Sequence, residues 1–390
     1  MRVSSIVGAL AAALIGATVA SAQEPLKIGM ITTLSGPGGY LGQDIRDAFN
    51  LAIKMQGGKL GGVPVSVIVE DDGLKPGQGK QIADKMLKND KIKLLTGIVF
   101  SNVAGAVVPD VLDAGAIYVS PNAAPSTFSG KGCHKNYYVI SWQNDTLHES
   151  SGQSANELGY KTAFILAPNY QAGKDGLAGF KRLFKGKIVG EIYTRLDQTD
   201  FSAELAQIRA AKPEVVFQFQ PGGLGIAFLR QYQQANLTNV IPMVVAEPSL
   251  DGVTLKAVGE AALGLNVTAH WNSDFDNPAN KEFMAAWNKE YPNRPGTYWA
   301  SQGYDTALAI GAALKATGGK VDDTEAFRKA MLKADFKSVR GNFKFGPNQH
   351  PIHDWYALKV EKGADGKLAL NTKRKILSNY GDSYAKDCKL

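Results

Sequence analysis

Cysteine is scarce in this sequence, and long apolar runs are absent after its first twenty residues. The 390 residues include two cysteines, Cys133 and Cys388. Neither follows the early apolar run directly, which excludes a lipid anchor on a mature N-terminal cysteine. No segment beyond residue 22 is apolar enough to cross a bilayer, since a spanning helix needs about 20 such residues. The sequence therefore predicts a soluble chain.

Motifs of common enzymes and nucleotide-binding proteins are also absent. The glycines after the first predicted strand lack the spacings G-x-G-x-x-G and G-x-x-x-x-G-K-[ST], which disfavours nucleotide binding. Neither G-x-S-x-G nor H-E-x-x-H occurs, so a hydrolase would lack its positioned nucleophile or metal ligands. His350 and His353 have no recognised metal-binding spacing, and Pro351 would disrupt a helix between them. We expect no catalytic residue, metal or cofactor; an exported enzyme and a ligand-sensing regulator are the alternatives from other classes.

Positive charge exceeds negative charge, but it is not concentrated anywhere along the chain. The formal net charge is +7, and the Lys and Arg residues are scattered. A nucleic-acid-binding protein would gather them on one stripe or face. We therefore expect no nucleic-acid partner.

The first 22 residues have the pattern of a secretory signal peptide. Arg2 precedes an apolar run at residues 6–19, and Ala20-Ser21-Ala22 forms a small-residue cleavage site. We expect removal of residues 1–22 and export to the periplasm; an uncleaved anchor is the alternative. In an exported chain an even cysteine count indicates one disulfide, here Cys133 with Cys388. Two free thiols are the alternative.

The rest of the chain alternates short apolar runs with amphipathic stretches, in two similar series. This alternation favours α/β architecture, with parallel sheets flanked by helices. We therefore predict two doubly wound lobes with a cleft between them, because open parallel sheets bind ligands beyond the carboxyl ends of their strands. The predicted strands are residues 26–32, 63–69, 94–100 and 116–120 in the first series, and 162–167, 187–193, 215–219 and 240–246 in the second.

Small and polar residues follow the predicted strands of the first series. Tyr40 closes a glycine-rich loop after the first strand. Ser101 and Asn102 follow the third strand, where a hydroxyl and the free N–H groups of a helix start could hold a carboxylate. Residues 122–124, which are Asn122, Ala123 and Ala124, follow the fourth strand and would let a ligand approach the backbone. Ordinary helix caps and turns are the alternative interpretation.

Two candidates follow strands of the second series. Tyr170 could offer a ring face and a hydroxyl to a ligand. Glu247 could pair with a ligand ammonium, and a solvated acid or a helix-cap partner is the alternative. Together these patterns predict donors for a carboxylate on one lobe, and an aromatic ring plus an acid on the other.

Taken together, these segments make the chain resemble the branched-chain amino acid class of periplasmic solute-binding proteins, which serve ATP-driven (ABC) importers. The resemblance implies a type I periplasmic binding protein, whose two lobes join through three crossovers and close on a small carboxylate ligand. It also implies a membrane permease as partner, and we expect a monomer. The segments that carry the resemblance are residues 28–36, 71–72, 97–102, 120–124, 169–173, 200–202 and 301–305. The implied lobes are residues 23–143 with 272–350, and 144–271 with 351–390.

The resemblance also implies residue roles. A serine matching Ser101 and backbone at Ala123 would grip an α-carboxylate, and Glu247 would take the ammonium, which favours an apolar or branched-chain amino acid. The chain departs from that pattern where Ala124 and Ala172 replace a threonine and a tyrosine. The run at residues 141–145 resembles binders of aromatic acids, on whose ring Trp142 could stack. Benzoate-type or phenylpropenoate-type acids are therefore the alternative ligands, and hinge packing is the alternative role for Trp142.

Overall fold

The first of two sheets is built mainly from the N-terminal third of the chain. The computed structural model describes residues 24–390, so the predicted signal peptide lies outside the described residues. Five strands of this sheet are parallel, and β2 is antiparallel at one edge. The strands are β1 (Leu26–Thr32), β2 (Lys59–Leu60), β3 (Val63–Asp71), β4 (Leu94–Thr96), β5 (Ile117–Ser120) and β6 (Tyr137–Val139), in the order β2-β3-β1-β4-β5-β6. Helices α1 (Gly39–Met55), α2 (Pro76–Lys88) and α3 (Ser101–Asp113) connect them.

The second sheet has eight strands and lies in the other lobe. Strands β7 to β11 are parallel, whereas β13 and β14 form an antiparallel hairpin along β11. The strands are β7 (Thr162–Pro168), β8 (Lys187–Thr194), β9 (Val215–Gln218), β10 (Met243–Ala246), β11 (Asn266–Ala269), β12 (Lys344–Phe345), β13 (Pro351–Lys362) and β14 (Leu368–Tyr380). The accompanying helices are α4 (Asn144–Glu157), α5 (Gln171–Leu183), α6 (Ser202–Ala211), α7 (Gly223–Gln234) and α8 (Gly252–Val258).

Three later helices return to the first lobe: α9 (Pro278–Glu290), α10 (Tyr298–Thr317) and α11 (Thr324–Leu332). Their apolar residues, such as Phe283 and Ile310, belong to the same buried core as β1 and β4. Helix α10 packs tightly on α1, because a Cβ atom at Gly303 would lie 2.2 Å from the carbonyl oxygen of Ile45. A glycine is therefore required at this helix crossing.

The chain thus crosses between the sheets after β6, after β11 and again after α11. Both parallel sheets are covered by helices, which explains the nearly continuous apolar strands. The predicted fold class, two doubly wound α/β lobes joined by three segments, is confirmed. The predicted residue boundaries of the lobes stay a prediction. No helix within residues 24–390 has the length and apolar character needed to span a membrane.

Arg340 joins the crossing segments to the first lobe. Its buried guanidinium, 6% exposed, donates to the carbonyl oxygens of Ile140 at 2.7 Å and Ser141 at 2.9 Å. It also donates to Asp305 of α10 at 3.2 Å and lies 3.1 Å from the Nδ1 atom of His353. The first and third crossings are therefore tied together at one buried cation.

Candidate ligand-binding site

A narrow cavity lies between the two lobes, at the carboxyl ends of their strands. Side chains from both lobes line it. Five of the residues predicted from the sequence are brought together there: Ser101, Asn122, Ala123, Trp142 and Tyr170. Further lining residues, which sequence reasoning missed, include Phe100, Asn144, Leu147, His148, Phe219 and Trp299.

One wall of the cavity offers hydrogen-bond donors to an anion. Ser101 opens α3, whose N-terminus has no side-chain cap, so the first backbone N–H groups have no partner within the helix. The Nδ2 atom of Asn144 donates to the Ser101 hydroxyl oxygen at 3.1 Å. The hydroxyl can therefore donate its own proton to a ligand. This wall suits a carboxylate, because the helix dipole also favours negative charge there.

The segment after β5 lies on the same wall but is partly engaged with the protein itself. The N–H of Ala123 donates to Ile98 at 3.3 Å, and the N–H of Ala124 donates to the Oδ1 atom of Asn144 at 3.3 Å. Asn122 donates to the carbonyl oxygen of Val99 at 2.7 Å, and its own Oδ1 atom is buried with no partner among the residues that the structure describes. The backbone role that the resemblance implies for Ala123 would require its bond to Ile98 to give way.

The opposite walls are aromatic. Tyr170 and Phe219 lie almost parallel, with ring centroids 6.3 Å apart, and Phe100 is 6.4 Å from Tyr170. Trp142 packs edge-on against His270, with ring centroids 5.0 Å apart. It therefore packs within the segments that cross between the lobes, as well as lining the cavity. Burial raises the pKa of Tyr170 well above its usual value, and its hydroxyl therefore stays neutral. These walls are flat and apolar, and the narrow cavity between them has a volume of about 30 Å³, so a ring-sized ligand requires the side chains or the lobes to move apart.

A wider opening adjoins this narrow cavity. It has a volume of about 450 Å³ and shares Phe100 and Pro221 with the narrow cavity. The remainder of its lining is mostly apolar and comes from both lobes, including Pro37, Leu196 and Leu224. A ligand longer than a single ring would extend into this opening.

Glu247 is not among the residues that line the cavity of Ser101. It follows β10, and its Oε1 atom lies 2.5 Å from the Nδ1 atom of His270 and accepts the backbone N–H of His270 at 3.2 Å. Its Oε2 atom is buried and has no hydrogen-bond partner within residues 24–390. The residue lines a separate small cavity beside Tyr298. Burial raises the pKa of Glu247 well above its usual value. The pairing of Glu247 with a ligand ammonium stays a prediction.

Tyr40 also lies outside the cavity, in a contact that joins the lobes. Its hydroxyl donates to the Oδ2 atom of Asp251 at 3.0 Å, and the Nε1 atom of Trp299 donates to the same oxygen at 3.0 Å. The other oxygen of Asp251 accepts the N–H of Thr254 at 2.7 Å and so caps α8. Asp251 was not singled out in the sequence, because a helix-capping aspartate gives no sign of partners 48 and 211 residues away.

The remaining candidate, Asn102, lies one residue into α3. Its side chain is half-buried, and its Oδ1 atom has no partner among the described residues. Neither Asn102 nor Ala124 is among the residues that line the cavity. Both adjoin lining residues, Ser101 and Ala123, in the chain.

Comparison with known proteins places this geometry in a family. The family model described as periplasmic binding protein matches residues 25–367. The chain belongs to the periplasmic binding protein family. A curated relative, Leu/Ile/Val-binding protein homolog 6 of Brucella melitensis, is 29% identical over 363 residues, which cover 90% of this chain and 91% of the relative.

Solved structures of ABC-transporter solute-binding proteins are similar to this periplasmic binding protein. One from R. palustris, in complex with benzoate, is 31% identical with a TM-score of 0.88, covering 94% of this chain and all of that one. Another, from Rhodopseudomonas palustris BisB5 in complex with 3,4-dihydroxybenzoic acid, is 29% identical with a TM-score of 0.84, covering 92% and 99%. A leucine-binding protein of Thermotoga maritima, 18% identical with a TM-score of 0.79, shares the fold; the match covers 90% of this chain and 98% of that one.

This periplasmic binding protein has its lobes in contact beyond the cavity. Asp175 of α5 accepts the hydroxyl of Ser126 at 2.6 Å and its N–H at 3.0 Å. Cys133 and Cys388 form a disulfide, which links the loop between β5 and β6 of the first lobe to the tail after β14. That tail is held on the second lobe, since the Tyr384 hydroxyl donates to Asp145 of α4 at 2.9 Å. The lobes are thus closed on each other and also covalently linked.

Proposed function

We propose that this protein is the non-enzymatic receptor of an ABC importer, and that it captures a small monocarboxylate with a flat apolar body by closing its lobes. The observation that carries the proposal is the cavity between the lobes, where Ser101 and the start of α3 face the aromatic rings of Tyr170, Phe219 and Trp142. Export to the periplasm, action as a monomer and delivery to a membrane permease belong to the same proposal.

Charge and hydrogen bonding support a ligand with a single negative charge. A buried carboxylate needs donors, and Ser101 with the free N–H groups of α3 provides them. Within the described chain, the lining of the cavity includes no Lys or Arg. A dianion would therefore lack a countercharge, whereas one carboxylate can be held by neutral donors and the helix dipole.

The rest of the cavity favours an aromatic acid over an amino acid. An ammonium group would need an anionic partner, but the described residues that line this cavity include no Asp or Glu. Glu247, the expected partner, lines a different cavity and is bonded to His270. The benzoate and dihydroxybenzoic acid complexes of similar proteins add support. A phenylpropenoate-type acid would use the wider opening as well.

An apolar amino acid is the second candidate. In the part of the chain that the structure describes, the buried Oε2 atom of Glu247 has no hydrogen-bond partner, and the next residue, Pro248, lines the cavity. A shift of this segment would bring the carboxylate to a ligand ammonium. The names of the Brucella relatives point the same way. The two candidates differ in whether Glu247 touches the ligand.

Thermal-shift and calorimetric titration with benzoate, 4-hydroxybenzoate, coumarate and leucine tests the proposal. An aromatic acid at 100 times its Kd should stabilise the protein by about 2.7 kcal/mol, and Glu247→Gln should change its Kd less than about twofold. Glu361→Gln, at an exposed carboxylate of β13, is the matched control. Stabilisation by leucine alone, abolished by Glu247→Gln, would establish the second candidate instead. If no carboxylate stabilises the protein, the proposed function is wrong.

A further inference from the structure

We propose, building on the proposed function, that His148 selects ligands that carry a hydrogen-bonding group opposite their carboxylate, such as the hydroxyl of a phenolic acid. His148 lies on α4 and lines the cavity. The bond that ties α4 to Ser101 comes from Asn144 and not from His148.

The spacing along α4 sets the distance between the two ends of the cavity. Asn144 and His148 both line it and are four residues apart, so they share one face of the helix. Asn144 contacts the Ser101 hydroxyl at 3.1 Å and marks the carboxylate end. Four residues rise about 6 Å along a helix, a distance comparable with the length of one para-substituted benzene ring. His148 therefore lies where the far end of such a ring would be.

The surroundings of His148 leave its imidazole short of partners. The side chain is 1% exposed, and its ring centroid lies 4.7 Å from that of Phe219 and 5.6 Å from that of Phe217. Its Nδ1 atom has no hydrogen-bond partner among the described residues. An unpaired polar atom in an apolar wall is costly, and a ligand hydroxyl would relieve that cost.

The imidazole is held in place and kept neutral. A Cβ atom at Gly176 would lie 3.1 Å from the ring, so this glycine leaves the room that the ring occupies. Burial lowers the pKa of His148 to about 3. A neutral imidazole has one nitrogen that donates and one that accepts, so it can bond a hydroxyl in either direction without adding charge to the cavity.

The test measures Kd for benzoate and for 4-hydroxybenzoate by calorimetric titration, in the wild type and in two variants. The wild type should prefer 4-hydroxybenzoate by tenfold or more. His148→Leu should bring the preference to within about threefold while benzoate still binds, and His148→Gln, which keeps polar atoms, should restore part of it. His134→Leu, at a half-buried histidine of the first lobe, is the matched control and should keep the full preference.

The possible outcomes separate this inference from the proposed function. If aromatic acids bind but His148→Leu leaves the preference unchanged, or weakens both acids equally, the role of His148 is wrong and the receptor function stands. If the wild type binds no aromatic acid, the role of His148 is wrong, and the titration with leucine decides whether the receptor function stands. If His148→Leu does not fold, the ratio of the two Kd values in the wild type and in His148→Gln still tests the role of His148. Equal Kd values for benzoate and 4-hydroxybenzoate in the wild type would show that His148 does not select between them.

Discussion

Replacing Asp251 by Asn tests whether the closed arrangement of the lobes controls ligand affinity. One carboxylate oxygen of Asp251 accepts from Tyr40 of α1 and Trp299 of α10, both in the first lobe, while the other caps α8 in the second. An asparagine keeps only one acceptor oxygen. If that oxygen continues to cap α8, the amide nitrogen faces the N–H of Trp299, whose bond between the lobes is lost, and the Tyr40 hydroxyl keeps its bond only by turning to accept.

The size of the effect follows from these contacts. Hydrogen bonds to a charged group contribute about 1.5–3 kcal/mol each, and Asp251 is 3% exposed in the closed form. When the lobes open, water replaces Tyr40 and Trp299, so the loss falls on the closing equilibrium and not on the folding of either lobe. We take the net cost as that of one such bond, about 1.5–3 kcal/mol. Because the ligand stabilises the closed form, its apparent Kd should rise by up to about 10- to 150-fold, the full factor applying when the ligand-free wild type is mostly open.

The assay is calorimetric titration with a ligand that stabilises the wild type, together with small-angle scattering of the ligand-free protein. Asp251→Asn should bind more weakly and scatter as a more open particle, with little change in melting temperature. Asp323→Asn is the matched control, because Asp323 caps α11 through the N–H of Ala326 at 3.0 Å but is exposed and far from the second lobe. A Kd for Asp251→Asn within twofold of the wild type would refute the argument.

Two further predictions concern stability. Cys388→Ser should lower the melting temperature by several degrees, because the disulfide to Cys133 closes a loop of 255 residues. Chain-entropy models assign about 5 kcal/mol to such a loop. Equal melting temperatures of the wild type with and without reductant would contradict this prediction. The pKa of histidine in an unfolded chain is near 6.5, whereas burial lowers the pKa of folded His148 to about 3. The unfolded state therefore binds the proton first, and the free energy of unfolding falls as the pH drops below about 6.5. For this residue the slope reaches up to about 1.4 kcal/mol per pH unit. His148→Leu should reduce that slope in urea unfolding between pH 6.5 and 5, and an unchanged slope would mean that His148 is not buried.

The architecture could be predicted because both sheets are mainly parallel and covered by helices. Such strands appear in the sequence as short apolar runs, and β1 has the predicted bounds, Leu26–Thr32. Boundaries that depend on a single backbone angle or a close contact could not be predicted. The strand at residues 94–100 was predicted too long, since Gly97 adopts φ +112° and the strand ends at Thr96. Helix α1 likewise starts at Gly39, where a Cβ atom would meet the carbonyl of Leu34 at 2.6 Å, a contact that the sequence does not reveal.

The candidate site could be predicted where residues directly follow strands. Ser101, Asn122, Ala123 and Tyr170 lie after strands or at the start of the next helix, and all line one cavity. The missed residues depend on contacts between distant parts of the chain. His148 is four residues inside a helix whose orientation is set by packing on the second sheet, so local sequence gave no sign of its position.

The first crossing between the lobes, at residues 140–144, links ligand contact to lobe closure. Arg340 fixes the carbonyl groups of Ile140 and Ser141 to the first lobe, whereas α4 of the second lobe begins at Asn144. Only two residues, Trp142 and Gln143, separate these fixed points, and the N–H of Asn144 still donates to Ala124 of the first lobe at 3.0 Å. Opening must therefore bend the first crossing near Trp142, whose ring lines the cavity. We infer that a ligand packed on Trp142 stabilises the closed backbone directly, because the residue it contacts is among those that must move.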